Sequence, residues 1–153
     1  MADVLTPAQR HYNMTRIRSK DTGIEKQVRC QLHADGFRYR LNVKDLPGKP
    51  DIVLPKYKTV VFINGCFWHG HQGCKNFVIP KTNTGFWITK IEGNIKRDKE
   101  NYRRIELLGW NVIVVWECSL KKSRFQKTIS ILESFIKENG AALKGAAPNR
   151  KTI

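Results

Sequence analysis

Eleven consecutive residues, Asn64-Gly-Cys-Phe-Trp-His-Gly-His-Gln-Gly-Cys74, hold two thiols, two imidazoles and two adjacent large aromatics. Thiolate and imidazole are the ligands Zn²⁺ prefers. Imidazole is also the commonest general base near neutral pH. A Phe-Trp pair in a polar, glycine-bearing loop is hard to explain as core, and beside a basic surface it can act as a wedge between bases. That surface exists: 28 Lys+Arg against 13 Asp+Glu give a formal charge of +15 over 153 residues. Such a field attracts polyanions, and neutralising phosphates supplies most non-specific nucleic-acid affinity. The loop points to metal and nucleic acid together.

Cys66, His71, Cys74 and Cys118 form the candidate zinc set, three ligands from one loop and a fourth from beyond a later strand. Four protein ligands close a tetrahedral site, and closed sites are structural. His69 is then left free to take a proton from an attacking water, although the residues alone equally allow His69 as the ligand and His71 as the spare. Asp51, after the Pro-Gly turn and at the head of a strand, can present its carboxylate at a sheet end and hold Mg²⁺. Restriction-type nucleases follow that Pro-Asp with Glu-x-Lys on the next strand, and here the next strand reads Val60-Val-Phe-Ile-Asn64. Glu25 completes the capping box Thr22-Gly-Ile-Glu25, a role that accounts for it fully. Trp87 can stack on bases or pack in a core. Met14 stands alone in a polar helix. Cys30 is expected to pack as a small apolar residue.

These side chains need a scaffold, and the pattern supplies one. Thr6-Pro7 opens a polar helix to about Ser19, and a second helix follows Thr22 with Ile24, Val28 and Leu32 on one face. Phe37 to Val43 alternates as a half-buried strand. Asp51 to Leu54 and Thr59 to Ile63 are predicted strands, joined by a hairpin-like Pro55-Lys-Tyr-Lys58. A long helix spans Thr84 to Leu108, with Ile88, Ile91, Ile95, Tyr102, Ile105 and Leu108 in one stripe. Asn111 to Glu117 is a buried strand, and a last helix runs from near Ser123 to Gly140. The order implies a mixed sheet with helices on both faces. Parallel pairing of the Val60 and Val112 strands would bring Cys118 to the loop. The divisions expected are an arm at 1–20, one domain at 21–140 and a disordered tail at 141–153. Neither a membrane span nor a signal peptide is legible, so a cytosolic setting is expected, where clustered cysteines bind metal.

The combination resembles the very-short-patch repair (Vsr) DNA mismatch endonucleases of bacteria. The resemblance rests on Asp21-Thr-Gly-Ile-Glu25, Leu46-Pro-Gly-Lys-Pro-Asp51, Gly65-Cys-Phe-Trp-His69, Phe86-Trp87, Asn94 with Arg97-Asp98, and Gly109-Trp110 with Val115-Trp-Glu-Cys118. It implies an α/β, restriction-endonuclease-like mixed sheet flanked by helices, with a structural zinc at Cys66, His71, Cys74 and Cys118. It implies that Asp51 and the main-chain carbonyl of Ile63 bind Mg²⁺, that His69 activates water, and that Glu25 joins through Mg²⁺-bound water. Phe67, Trp68 and Trp87 would enter the duplex from the major groove, and Met14 from the minor groove. The substrate implied is double-stranded DNA with a T:G mismatch, nicked 5′ to the T by a monomer at the bacterial nucleoid. A cytosine-5 methyltransferase and mismatch-repair proteins are the implied companions. Two departures stand out: Asn64 occupies a position where the family pattern has a second His, and one extra residue separates His71 from Cys74. The rival readings are a non-catalytic zinc-containing DNA-binding module and a restriction-type nuclease cutting both strands of undamaged DNA.

Overall fold

The structure, a computed structural model, describes residues 23–41, 43–141 and 148–153. The arm at 1–20, with its helix and Met14, and the capping Thr22 lie outside the described residues. Helix α1 spans Gly23–Ala34, β1 Ile52–Leu54 and β2 Thr59–Asn64. The long helix α2 covers Thr84–Leu107, β3 Asn111–Trp116, α3 Phe125–Ala141 and β4 Arg150–Thr152. A 3-10 turn at Pro55–Tyr57 joins β1 to β2, and another at Glu117–Leu120 follows β3.

The strands form one sheet in the order β1-β2-β3-β4. β1 lies antiparallel to β2, as a short connection allows, whereas β2 and β3 are parallel from Thr59↔Asn111 to Asn64↔Trp116. The parallel pair needs a crossover, and α2 is that crossover. Both central strands are apolar along nearly their whole length because both faces are covered. On one face Ile52, Leu54, Val61, Ile113 and Val115 pack with Val28 and Leu32 of α1 and Ile129, Leu132 and Ile136 of α3. On the other, Val53, Val60, Phe62, Val112 and Val114 pack with Tyr102 and Ile105 of α2. No helix among the described residues is long and apolar enough to cross a membrane.

Four expectations change. The strand over Phe37 to Val43 shrinks to a single bridge, Arg40↔Val53. Its partner among the described residues, β1, is three residues long before Pro55 turns the chain. The tail is not outside the fold at its end, because Arg150–Thr152 pairs in parallel with β3 and Ile153 packs against the core. Its polar composition fits an edge strand with outward side chains, all three exposed. Ile88 and Leu108, placed in the α2 stripe, are exposed: the sheet packs on Tyr102 and Ile105 near the end of the helix, far from Ile88, and Leu108 lies past its last turn. Cys30 is exposed rather than packed.

Candidate active site and metal centre

The parallel strands β2 and β3 end side by side, and the chain leaves β2 through the loop after Asn64. That loop lies against α2. At Gly70, φ is +62°, and a Cβ there would come within 2.6 Å of Ile95 and 2.8 Å of Ile91. Glycine is therefore required on both counts, backbone conformation and space. The Asn94 amide donates to the Trp68 carbonyl at 2.9 Å, fixing the aromatic part of the loop to the same helix.

Beside the strand ends lies a cleft of about 360 Å³ lined by Glu25, Asp51, Asn64, His69, Asp98 and Tyr102 among others. Asp51 precedes β1, and its Oδ2 accepts the Ile63 N–H at 2.6 Å. Burial pushes the Asp51 carboxyl up to about 7; the Ile63 bond and the charge of His69 oppose this, and the Glu25 carboxylate adds to it. Asn64 is buried, and its amide donates to the Tyr102 hydroxyl at 2.8 Å. Burial likewise pushes the Tyr102 phenol up to about 12, so it remains a hydroxyl. His69 Nδ1 meets Asp98 Oδ2 at 2.6 Å. With Nδ1 donating to that carboxylate, Nε2 keeps a lone pair. The arrangement combines a half-buried carboxylate, an imidazole oriented by a second carboxylate and an open cleft, which is the equipment of acid–base hydrolysis.

Cys66, His71, Cys74 and Cys118 converge on one point, their donor atoms all within 4.8 Å of one another. Tetrahedral metal–thiolate bonds of roughly 2.3 Å put sulfurs about 3.8 Å apart, so the set can close on an ion with small movements. Cys118 Sγ and His71 Nδ1 are already 3.5 Å apart. The His71 ring lies flat on Trp116, centroids 4.1 Å apart and planes 5° from parallel. Burial pushes the Cys66 thiol up to about 12, a cost to the thiolate that a bound cation would reverse. The Asn76 N–H bond to sulfur holds Cys74 below its ordinary range. Between His71 and Cys74 the chain turns through Gly73, φ +75°, and Cys74 reaches the cluster.

Phe67, Trp68 and Trp87 form one aromatic cluster, centroids 5.2 to 5.7 Å apart in edge-on contacts. Phe86 joins it at 5.2 Å from Trp87 and is 60% exposed. The structure thus assembles Glu25, Asp51, Asn64 and His69 in the cleft and the four metal-type ligands beside it. Of the two imidazoles, His71 faces the thiols and His69 faces Asp98.

Four residues had no role from the sequence: Asp98, Tyr102 as a partner of Asn64, Asn94 and Phe86. For Asp98 a signal existed. It falls on the face of α2 that carries Ile91, Ile95, Tyr102 and Ile105, and an acid on an inward stripe demands a partner.

A mixed sheet clad by helices, with carboxylates and a histidine at the strand ends, is the architecture of the restriction-endonuclease-like class. Residues 2–76 match the model of the DNA mismatch endonuclease Vsr family. A type II nicking enzyme of Neisseria meningitidis serogroup A is 54% identical over 79% of this chain and 86% of its own length. A type II nicking enzyme of Xanthomonas oryzae is 49% identical over 78% and 88%. The DNA mismatch endonuclease Vsr of Escherichia coli is 45% identical over 79% and 77%. The chain belongs to the Vsr DNA mismatch endonuclease family.

Proposed function

We propose that this protein nicks one strand of duplex DNA 5′ to the thymine of a T:G mismatch, using Mg²⁺ in the cleft and Zn²⁺ in the loop. The observation that carries the reading is the His69–Asp98 pair, 2.6 Å apart, lining the same cleft as half-buried Asp51.

Hard oxygen donors suit Mg²⁺, and the Asp51 carboxylate, costly to ionise in its half-buried seat, gains from a cation. Asp51 and the Ile63 carbonyl would hold the ion, with Glu25 reaching it through water. Bound there, it would neutralise charge building on the scissile phosphate. His69 Nε2 takes the proton of the attacking water while Asp98 holds the ring. The water oxygen forms the new bond to phosphorus, the bond to the 3′ oxygen breaks, that oxygen takes a proton from solvent to leave as a 3′-hydroxyl, and a 5′-phosphate remains on the thymine. Asn64 has no proton to shuttle; fixed by Tyr102, it orients the water or the phosphate. Cys66, His71, Cys74 and Cys118 would hold the zinc in a closed, structural site, a soft donor set suited to that ion.

A mispaired base is poorly stacked and cheap to open, so Phe67, Trp68 and Trp87 can enter there, with exposed Phe86 beside them and Met14 from the opposite groove. Residues 1–20 are the clamp. The endonuclease domain, expected over 21–140, gains β4. T:G pairs arise by deamination of 5-methylcytosine, so a cytosine-5 methyltransferase and mismatch-repair proteins are the functional companions in a bacterial cytoplasm.

A duplex with one T:G pair and each strand labelled in turn, incubated with Mg²⁺, tests the reading alongside a supercoiled plasmid. The expected product is a nick in the T strand bearing a 5′-phosphate, with the matched duplex intact. Binding without cleavage would show a DNA-binding module, and linearised plasmid a restriction-type nuclease.

A further inference from the structure

Beyond the cleft, a second groove runs on the outer side of the metal-type cluster. It is lined by Gln72, Lys75, Asn76, Lys121, Ser123 and Arg124 along with cluster members. No Asp or Glu lines it, whereas the cleft mixes Glu25, Asp51 and Asp98 with its cations. Lys75, Lys121 and Arg124 are exposed, and among the described residues none of them is paired with a carboxylate. Two come from the segment after Cys118 and one from beside Cys74. Closing the cluster on an ion would therefore fix all three relative to one another.

We propose that this groove is a second phosphate-binding site, gripping the DNA backbone away from the scissile bond. The inference rests on the reading of DNA as substrate and adds a place where the backbone is held. Trp68 and Cys74 are six residues apart on one loop, so the groove lies within about 20 Å of the aromatic cluster. At roughly 3.4 Å per nucleotide, that reaches a phosphate within about six steps of the opened pair. Phosphate contacts fix register without reading sequence. A grip at this distance would hold the duplex while the aromatics work on the mismatch. The competing use for these cations is to offset the negative charge of the metal–thiolate group. The two uses predict different measurements.

The test follows binding of the full-length protein to T:G and matched duplexes by fluorescence anisotropy, without divalent ions, across a salt series. Lys75, Lys121 and Arg124 are replaced together by Ala. A reference variant removes the same charge at Arg38, Lys56 and Lys137, which gather around Phe37 and Tyr57, at the opposite end of β2 from the loop. The slope of log K against log salt should fall by about 2 to 3 in the groove variant. Affinity for both duplexes should drop at least about tenfold, and zinc content should hold. The reference variant should lose much less. An unchanged slope, an equal loss in the reference variant, or zinc loss as the sole change would overturn the proposal. Failure of wild-type protein to nick the T:G duplex while the slope still falls would sink the proposed function and leave the groove standing. Failure to bind any duplex would sink both.

Discussion

The cleft and the thiol–imidazole cluster occupy the same ends of β2 and β3, but they are put in order differently. In the cleft each side chain has a protein partner of its own: Asp51 has the Ile63 N–H, Asn64 has Tyr102, and His69 has Asp98. In the cluster the donors face one another. Apart from the Asn76 N–H on Cys74 and the Trp116 ring beneath His71, what holds them is the loop's own backbone, such as the His71 N–H on the Cys66 carbonyl at 2.9 Å. Thiols and an imidazole aimed at a common point gain little from each other until a cation shares them. Protein hydrogen bonds preorganise the chemistry, and an ion would organise the loop beside it. Damage to the cleft should therefore be local and chemical, whereas damage to the cluster should unfold the loop and take the aromatic wedge with it.

Asp51→Ala is expected to have the largest effect, cutting the nicking rate by at least about 10³-fold with DNA affinity and zinc content intact. Quantified cleavage, anisotropy and metal analysis on one preparation check this. Loss of zinc along with activity would show that the two regions are not independent. Cys118→Ser attacks the other side. With three ligands left, the variant should lose zinc and at least about 4 kcal/mol of stability, read by denaturant titration. Its tryptophan emission should shift to the red as Trp68 and Trp87 become solvated. A zinc-free variant with unchanged stability and emission would mean the loop needs no ion.

The two regions also differed in how far the sequence disclosed them. The metal-type set could be written down from ligand chemistry, because Cys66, His71, Cys74 and Cys118 are of the right types and the parallel crossover delivers the fourth. Which imidazole belonged to it could not be read, because His69 and His71 are two residues apart and only Asp98, twenty-nine residues away, decides between them. The parallel pairing of β2 with β3 followed from apolar runs long enough to be buried on both faces. The edge strand β4 did not, because Arg150-Lys-Thr152 has no apolar pattern and is held through its backbone and by the ion pair of Arg150 with Glu106, 3.0 Å. Pairing with an existing sheet edge asks little of side chains. The Phe37 to Val43 alternation misled for the converse reason: its side chains fit a strand, but three-residue β1 offers an edge long enough only for the bridge of Arg40 with Val53.

Asp98→Asn sharpens the comparison within the cleft. The side chain keeps its shape and a hydrogen bond to His69, but it no longer favours a proton on Nδ1 with charge building on the ring. The nicking rate should fall about 10²-fold, with zinc content, emission spectrum and DNA affinity unchanged. A fall confined to binding would move Asp98 out of the chemistry and into the folding of α2.

The smallest effect belongs to a control outside both regions. α1 carries Glu25 into the cleft at one end, and just past its other end Asp35 meets Glu133 of α3. Burial, then the hydrogen bond to Asp35 and its charge, push the Glu133 carboxyl up to about 7. Asp35 is held below its ordinary range, first by the Gln31 amide and then by Glu133. Protonated Glu133 thus donates to ionised Asp35. Because the folded value lies above the ordinary 4.5, the folded state binds this proton more tightly than the unfolded chain. The stability it supplies is complete below about 4.5 and is lost as pH rises through about 7. Glu133→Gln keeps a donor and cannot titrate. Its melting temperature should exceed that of the wild type by about 2 to 4 °C near pH 8, the gap closing below pH 4.5. Nicking at a fixed pH should be the same for both proteins. A parallel change in nicking would show that order in the cleft depends on the far end of α1 and not only on the partners of its own side chains.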